Sequence, residues 1–134
     1  MLKTSLGPLQ QAIFTRLSTD TALTQRIKGV YDEVGKNTPF PYCTIGDLTV
    51  NPFETKTTYG ENITIVLHCW SQYRGKKEAF EILNLMLQAI TKAPFVIEGF
   101  SLIKMNIEPS MQVFTDIDGK TRHGILRLRF HINN

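Results

Sequence analysis

Cysteine is scarce in this chain, with only Cys43 and Cys69 among 134 residues, so a disulfide-stapled miniprotein is excluded. Both fall in strand-like apolar segments, where a free cysteine behaves as a small hydrophobe, and a reducing compartment is expected. No apolar run approaches the roughly 20 residues that a membrane helix needs. Met1-Leu2-Lys3 leads into Thr4, Ser5, Gly7 and Gln10 rather than into a signal-peptide core, so neither a membrane role nor export is expected. Histidine is thin as well: His68, His123 and His131 are scattered, no C-x-x-C or H-x-x-x-H spacing occurs, and no metal site is expected.

Other signatures of chemistry are missing too. Neither G-x-G-x-x-G nor G-x-x-x-x-G-K-[ST] is present, and no serine sits in a G-x-S-x-G elbow. His68 and Cys69 are neighbours on a strand, so their side chains point to opposite faces and cannot form a catalytic dyad. Asp116-x-Asp118-Gly119 has the look of half a calcium loop, but position 12 of such a loop is Arg127 instead of a glutamate; a hairpin turn explains Asp118-Gly119. No enzyme activity and no cofactor are expected.

What is present is the composition of one globular domain, with 42% hydrophobic and 20% charged residues, which excludes a disordered tail or a collagen-like repeat. The formal charge of +3 is a local excess rather than an even one. Every acidic residue precedes Gly119, whereas Lys120, Arg122, Arg127 and Arg129 follow it without a carboxylate among them. That is one basic stretch, short of a general electrostatic footprint for nucleic acid.

Hydrophobic periodicity sets out the elements. Leu6, Leu9, Ile13 and Leu17 recur at helical spacing, with Pro8 tolerated in the first turn, which predicts a helix over about 6–17. The Ser18-Thr19-Asp20-Thr21 cluster caps a second, shorter helix through Leu23 and Ile27 that Gly29 stops. Val30-Tyr31 is a short extended piece, Pro39-Phe40-Pro41 rules out helix, and Tyr42 to Val50 reads as a strand. The Thr-rich stretch 51–60 is expected to be a loop or a mobile hairpin tip. Ile63, Ile65, Leu67 and Cys69 alternate with Thr64, Val66, His68 and Trp70 in a strand apolar enough on both faces to be central. Residues 76–92 form the longest helix, followed by a strand over 102–107 that ends before Pro109 and a hairpin of 111–117 and 122–132 about the Asp118-Gly119 turn. The order predicts a single α+β domain over 1–134: a mostly antiparallel sheet with two short N-terminal helices and one long helix packed on one face.

Three groups of residues are candidates for contact with partners. Arg74, Lys76 and Lys77 crowd the start of the long helix, where cations oppose the helix dipole, a placement that suits gripping a phosphate or a partner's carboxylates. Arg122, Arg127 and Arg129 form the terminal basic strip, with Arg127 and Arg129 on one face. Pro52, Phe53 and Tyr59 stand in an otherwise polar loop, as a segment that orders against a neighbour would.

Several segments in order carry a resemblance. Leu9-Gln10-Gln11-Ala12-Ile13-Phe14-x-x-Leu17, Leu23 to Ile27, Gly29-Val30-Tyr31-Asp32 and Pro39-Phe40-Pro41-Tyr42-x-x-Ile45-Gly46 come first. His68-Cys69-Trp70-Ser71, Gly75-x-x-Glu78-Ala79 and the terminal basic strand complete the set. Together they resemble the tail-completion and tail-to-head joining family of long-tailed bacteriophages across nearly the whole chain. The resemblance implies a structural virion protein, assembled in the host cytoplasm, that forms a hexameric ring at the head-proximal end of the tail. Its implied partners are further copies of itself, the tail tube protein and the head's connector, with DNA passing through the channel without sequence-specific binding. The alternative is a small nucleic-acid-binding module that uses the basic C-terminal strand.

Overall fold

The computed structural model describes residues 3–54 and 59–133, apart from the side chains of 102, 103 and 106–109. Helix α1 is Leu6–Thr19, α2 is Thr21–Thr24 and α3 is Lys77–Thr91. The strands are β1 Val30–Tyr31, β2 Tyr42–Glu54, β3 Tyr59–Ser71, β4 Ser101–Thr115 and β5 Arg122–Asn133. They form one sheet in the order β1-β2-β3-β5-β4, antiparallel except for the two-residue parallel pairing of β1 with β2. The α+β reading holds, and β3 is central. No described helix is long and apolar enough to cross a membrane.

The helices cover one face. Leu9, Ile13 and Leu17 of α1 and Ala79, Ile82, Leu83, Met86, Ala89 and Ile90 of α3 are buried against Ile63, Ile65, Leu67 and Cys69 of β3 and Leu126, Leu128, Phe130 and Ile132 of β5. Close approach of α3 depends on Gly124, where an added Cβ would stand 2.5 Å from the Cys69 sulfur and 3.2 Å from Leu83 Cδ1. Cys43 and Cys69 face each other in register, both buried free thiols. Burial pushes both thiol pKa values up, that of Cys69 to about 12, so neither offers a thiolate at neutral pH.

Two polar clamps hold α1. At its N-terminus the buried carboxylate of Glu61, on β3, accepts from the Ser5 amide at 2.8 Å, the Ser5 hydroxyl at 2.7 Å and the Thr4 hydroxyl at 2.7 Å. Ser5 does not cap the helix with its own side chain, and a neighbouring strand supplies the acceptor instead. Near the other end Arg16 donates to the carbonyls of Ala89 at 3.1 Å, Ile90 at 3.3 Å, Ala93 at 2.9 Å and Pro94 at 3.2 Å, and lies 4.0 Å over the Phe95 ring. It thereby satisfies the C-terminus of α3 from outside.

The elements differ from expectation in four places. Residues 51–54 and 59–60 are paired strand, with Pro52 opposite Glu61, Phe53 opposite Gly60 and Glu54 opposite Tyr59, so the flanks of the loop or hairpin tip expected over 51–60 are hairpin stem; positions 55–58 lie outside the described residues. Among the described residues no strand covers the outer side of β2 beyond the two-residue pairing with β1, so Pro52 is tolerated as an edge residue. β4 is likewise continuous through Pro109, because it is the opposite edge and its register shifts between Asn106 and Ser110. The hairpin strand expected to run to Ile117 stops at Thr115, and Ile117 stands exposed in the turn. Finally, α2 stops at Thr24, short of Ile27; Asp20 is its cap, accepting from the Leu23 amide at 3.0 Å and from Lys92 Nζ at 2.9 Å.

Candidate functional site

The helix-free face of the sheet is the surface on which the chain's unspent chemistry collects. Alternation puts His68 and Trp70 of β3, and His123, Arg127, Arg129 and His131 of β5, on this face, opposite the core residues of the same strands. Register then decides which of them meet. Trp70 pairs with His123 and with Tyr42, Thr64 with Arg129, and Lys104 with His131.

At the end of the sheet marked by Ser71, the result is an aromatic cluster. His68 Nδ1 lies 2.7 Å from His123 Nε2, the Trp70 ring stacks on His123 with centroids 3.7 Å apart, and Phe114 adds a ring at 4.8 Å. Trp70 is oriented by its indole N–H, which donates to the Thr44 hydroxyl at 3.1 Å. The expectation that the histidines are scattered is therefore corrected: residues 55 apart in sequence share a hydrogen bond because antiparallel register sets them on neighbouring strands. His131 is separate, with Nδ1 2.8 Å from Asn62 Oδ1 and its ring 4.4 Å from that of Phe53.

Burial pushes the His123 pKa down from 6.5 to about 4, and neighbouring His68 pushes the same way against Asp116. The His68 pKa also falls, through burial first and Arg127 next, against the attraction of Asp47. Between pH 6.5 and 4 the unfolded chain then binds more protons than the folded one, so stability drops as pH falls through that window. With the half-exposure of the pair taken into account, the loss is about 1 kcal/mol. In H123Q the melting temperature should vary less with pH between 6.5 and 4.5 than in the parent; parallel curves would refute the assignment.

Towards the other end of the face Asn51, Asn62, Thr64, Lys104, Arg129 and His131 line a depression of about 660 Å³, with no carboxylate among the described residues of its wall. Arg127 and Arg129 are both exposed and share this face, as alternation predicts. Lys104 joins them from β4, and no sequence spacing announces it. Arg122 is elsewhere, at the Ser71 end, where it donates to the carbonyl of Lys120 at 2.9 Å and braces its own turn. Both carboxylate oxygens of Asp118 are engaged in that turn, by the Lys120 and Thr121 amides and the Thr121 hydroxyl. The Thr121 hydroxyl and these amides hold the Asp118 pKa down at about 2.

Arg74, Lys76 and Lys77 are exposed at the start of α3, and Lys76 makes no side-chain cap. Their neighbour Glu78 accepts from the Ser71 hydroxyl at 2.6 Å, and Glu81 pairs with Arg26, so these acids are occupied elsewhere. Phe53 and Tyr59 are half-buried on the paired strands, while Pro52 is exposed. Among the described residues no group of three or more His, Cys, Asp or Glu is placed to hold a metal.

Sequence and fold comparisons bear on this arrangement. The family described as "Tail completion protein gp17" matches residues 11–133. The tail completion protein gp17 of Bacillus phage SPP1 is 40% identical over 126 residues, spanning 94% of this chain and 92% of its own length. The solved structure of that phage's gp17 aligns over 98% of this chain and 94% of its own, with a TM-score of 0.71 and 39% identity. A chain from the virion of a native gene transfer agent particle has the same fold, with a TM-score of 0.87 over 99% of this chain and 100% of its own at 20% identity. A small sheet with one face packed and the other open agrees with relatives matched over almost the entire length, and the chain belongs to the tail completion protein gp17 family, structural proteins of the phage virion tail.

Proposed function

We propose that this protein completes the tail at its head-proximal end and joins it to the DNA-filled head, as a ring of copies that is hexameric by resemblance. The tail tube lies below the ring, the connector above it, and DNA passes through its channel. The observation that carries the reading is the near-complete match to the SPP1 tail completion protein, 40% identical over 94% of this chain. The fold supports it: a subunit of a closed ring needs two different surfaces that meet under rotation, and this sheet has two different edges, β4 on one side and β2 beyond β1 on the other.

In this reading Pro52, Phe53 and Tyr59, at the far end of the β2–β3 hairpin, contact a neighbour or docking partner, and Arg74, Lys76, Lys77 and Arg122 at the Ser71 end meet charged surface or line the channel. Purified protein added to separated heads and tails from a phage lacking it should restore joined particles, counted by electron microscopy. Tails that stay unjoined and uncapped would overturn the proposal. Alanine at both Phe53 and Tyr59 should lower the yield of joined particles; unchanged joining would remove the hairpin from the interface.

A further inference from the structure

Charge on the open sheet face is divided between two corners. Asp32 and Glu33, which follow β1, and Asp47, in the irregularity of β2 between Ile45 and Leu48, are exposed and line a depression of about 470 Å³ with Thr44, Gly46, His68 and Trp70. No lysine or arginine stands in its wall. Across β3, on the β5 and β4 side, are Arg127, which pairs with Val66 and so is level with Asp47, and Arg129 and Lys104, further towards the opposite strand ends. Among the described residues the ion pairs are Arg26 with Glu81 and Lys92 with Asp20, both on the helical side of the molecule, and none involves a residue of either corner.

Segregation of this kind selects the occupant. A face made for a nucleic-acid backbone gains nothing from three carboxylates at one edge, which repel phosphate. A second copy of this chain offers each corner its complement, acid against base, and like charges placed opposite one another at an interface cost several kcal/mol. Since the corners lie towards different edges, the contact that joins them runs head to tail, each copy giving its acidic corner to one neighbour and its basic corner to the next. We infer that the contact between successive copies in the ring is made by the Asp32, Glu33 and Asp47 corner of one chain against the Lys104, Arg127 and Arg129 corner of the next. This deepens the proposed ring and rests on that reading.

Charge exchange tests it. One variant carries Asp32→Lys, Glu33→Lys and Asp47→Lys, making both corners basic; the other carries Lys104→Glu, Arg127→Glu and Arg129→Glu, making both acidic. All six positions are on the surface side of the sheet, and circular dichroism with thermal melting verifies that each variant folds like the parent. Each alone should lose at least about tenfold in joined-particle yield, the equivalent of about 1.4 kcal/mol, through like-charge contacts. An equimolar mixture should recover to within about twofold of the parent, because copies alternating around the ring restore an opposite-charge contact at every interface.

Full joining by either variant alone would overturn the inference, as would a mixture that stays inactive although both variants fold. Native mass spectrometry of the cross-linked mixture should give an even number of copies greater than two, and a closed two-fold dimer would refute the head-to-tail contact. If the parent itself fails to join heads and tails, the proposed function falls, and the mass measurement still reads the contact between copies: association of the mixture but of neither variant alone upholds it, and any other pattern refutes it.

Discussion

Arg16→Ala is expected to melt roughly 10 °C below the parent, a loss of about 2–3 kcal/mol for a domain of this size. One guanidinium serves four carbonyls at the end of α3 and its following turn and covers the face of Phe95. The Ala89 and Ile90 carbonyls are among the groups that an α-helix leaves without partners, and a cation beside them also interacts favourably with the negative end of the helix dipole. With alanine, the part-buried Ala89 and Ile90 oxygens lose an ionic donor, and α1 loses its polar tie to α3. Contributions of this kind overlap, so the expected total stays well below the sum of four charge-assisted bonds. Arg16→Lys should recover less than half of the loss, because a compact ammonium cannot spread over four acceptors or stack flat on a ring. Denaturant unfolding of the three proteins checks the order. A lysine variant as stable as the parent would mean that the charge alone matters and the fork geometry does not.

Arg16 also marks the boundary of what the sequence makes legible. That the segment around it is a helix follows from Leu9, Ile13 and Leu17, whose spacing depends only on helix geometry. That Arg16 reaches the end of another helix 73 to 78 residues further on depends on how the two helices cross, which no local pattern encodes. The long helix and the central strand were legible for the same reason as α1: their apolar residues repeat with the period of the element they form. Pro52 and Pro109 misled because proline is a breaker in a paired strand and tolerable on an edge, and edge position follows from the strand order β1-β2-β3-β5-β4.

The open face shows the same division at the level of function. Alternation alone places Arg127 and Arg129 together, and it separates His68 from Cys69. It cannot bring His68 to His123, Trp70 onto His123, or Lys104 beside Arg129, since each of these needs the pairing of β3 or β4 with β5. The acidic corner was harder still. Asp32, Glu33 and Asp47 are unremarkable in sequence and become a patch because β1 lies parallel against β2 while β2 is irregular at Gly46 and Asp47. Family likeness reached the function sooner than chemistry because a protein that acts through surfaces leaves no catalytic spacing to read.

Glu61→Ala is the second change expected to have a large effect, about 3 kcal/mol, since it strands the buried Ser5 amide and hydroxyl together with the Thr4 hydroxyl. Glu61→Gln keeps an acceptor for Ser5 and should cost nearer 1 kcal/mol, the difference between charge-assisted and neutral hydrogen bonds. Acid provides an independent check. Burial pushes the Glu61 pKa up, but the Ser5 amide, the Ser5 hydroxyl and the Thr4 hydroxyl more than offset this, and the net shift is downward from 4.5. Below pH 4.5 the unfolded chain therefore takes up a proton before the folded one does, and the stability that Glu61 supplies is lost as pH falls through its folded pKa. The glutamine variant lacks that titration, so its deficit relative to the parent should shrink as the pH is lowered from 6 towards 3. Because His68 and His123 respond to acid in both proteins, the difference between the two unfolding curves, rather than either curve alone, isolates the carboxylate that fixes the start of α1 to the central strand. A constant difference across that range would place the effect of Glu61→Gln in altered packing rather than in the lost charge.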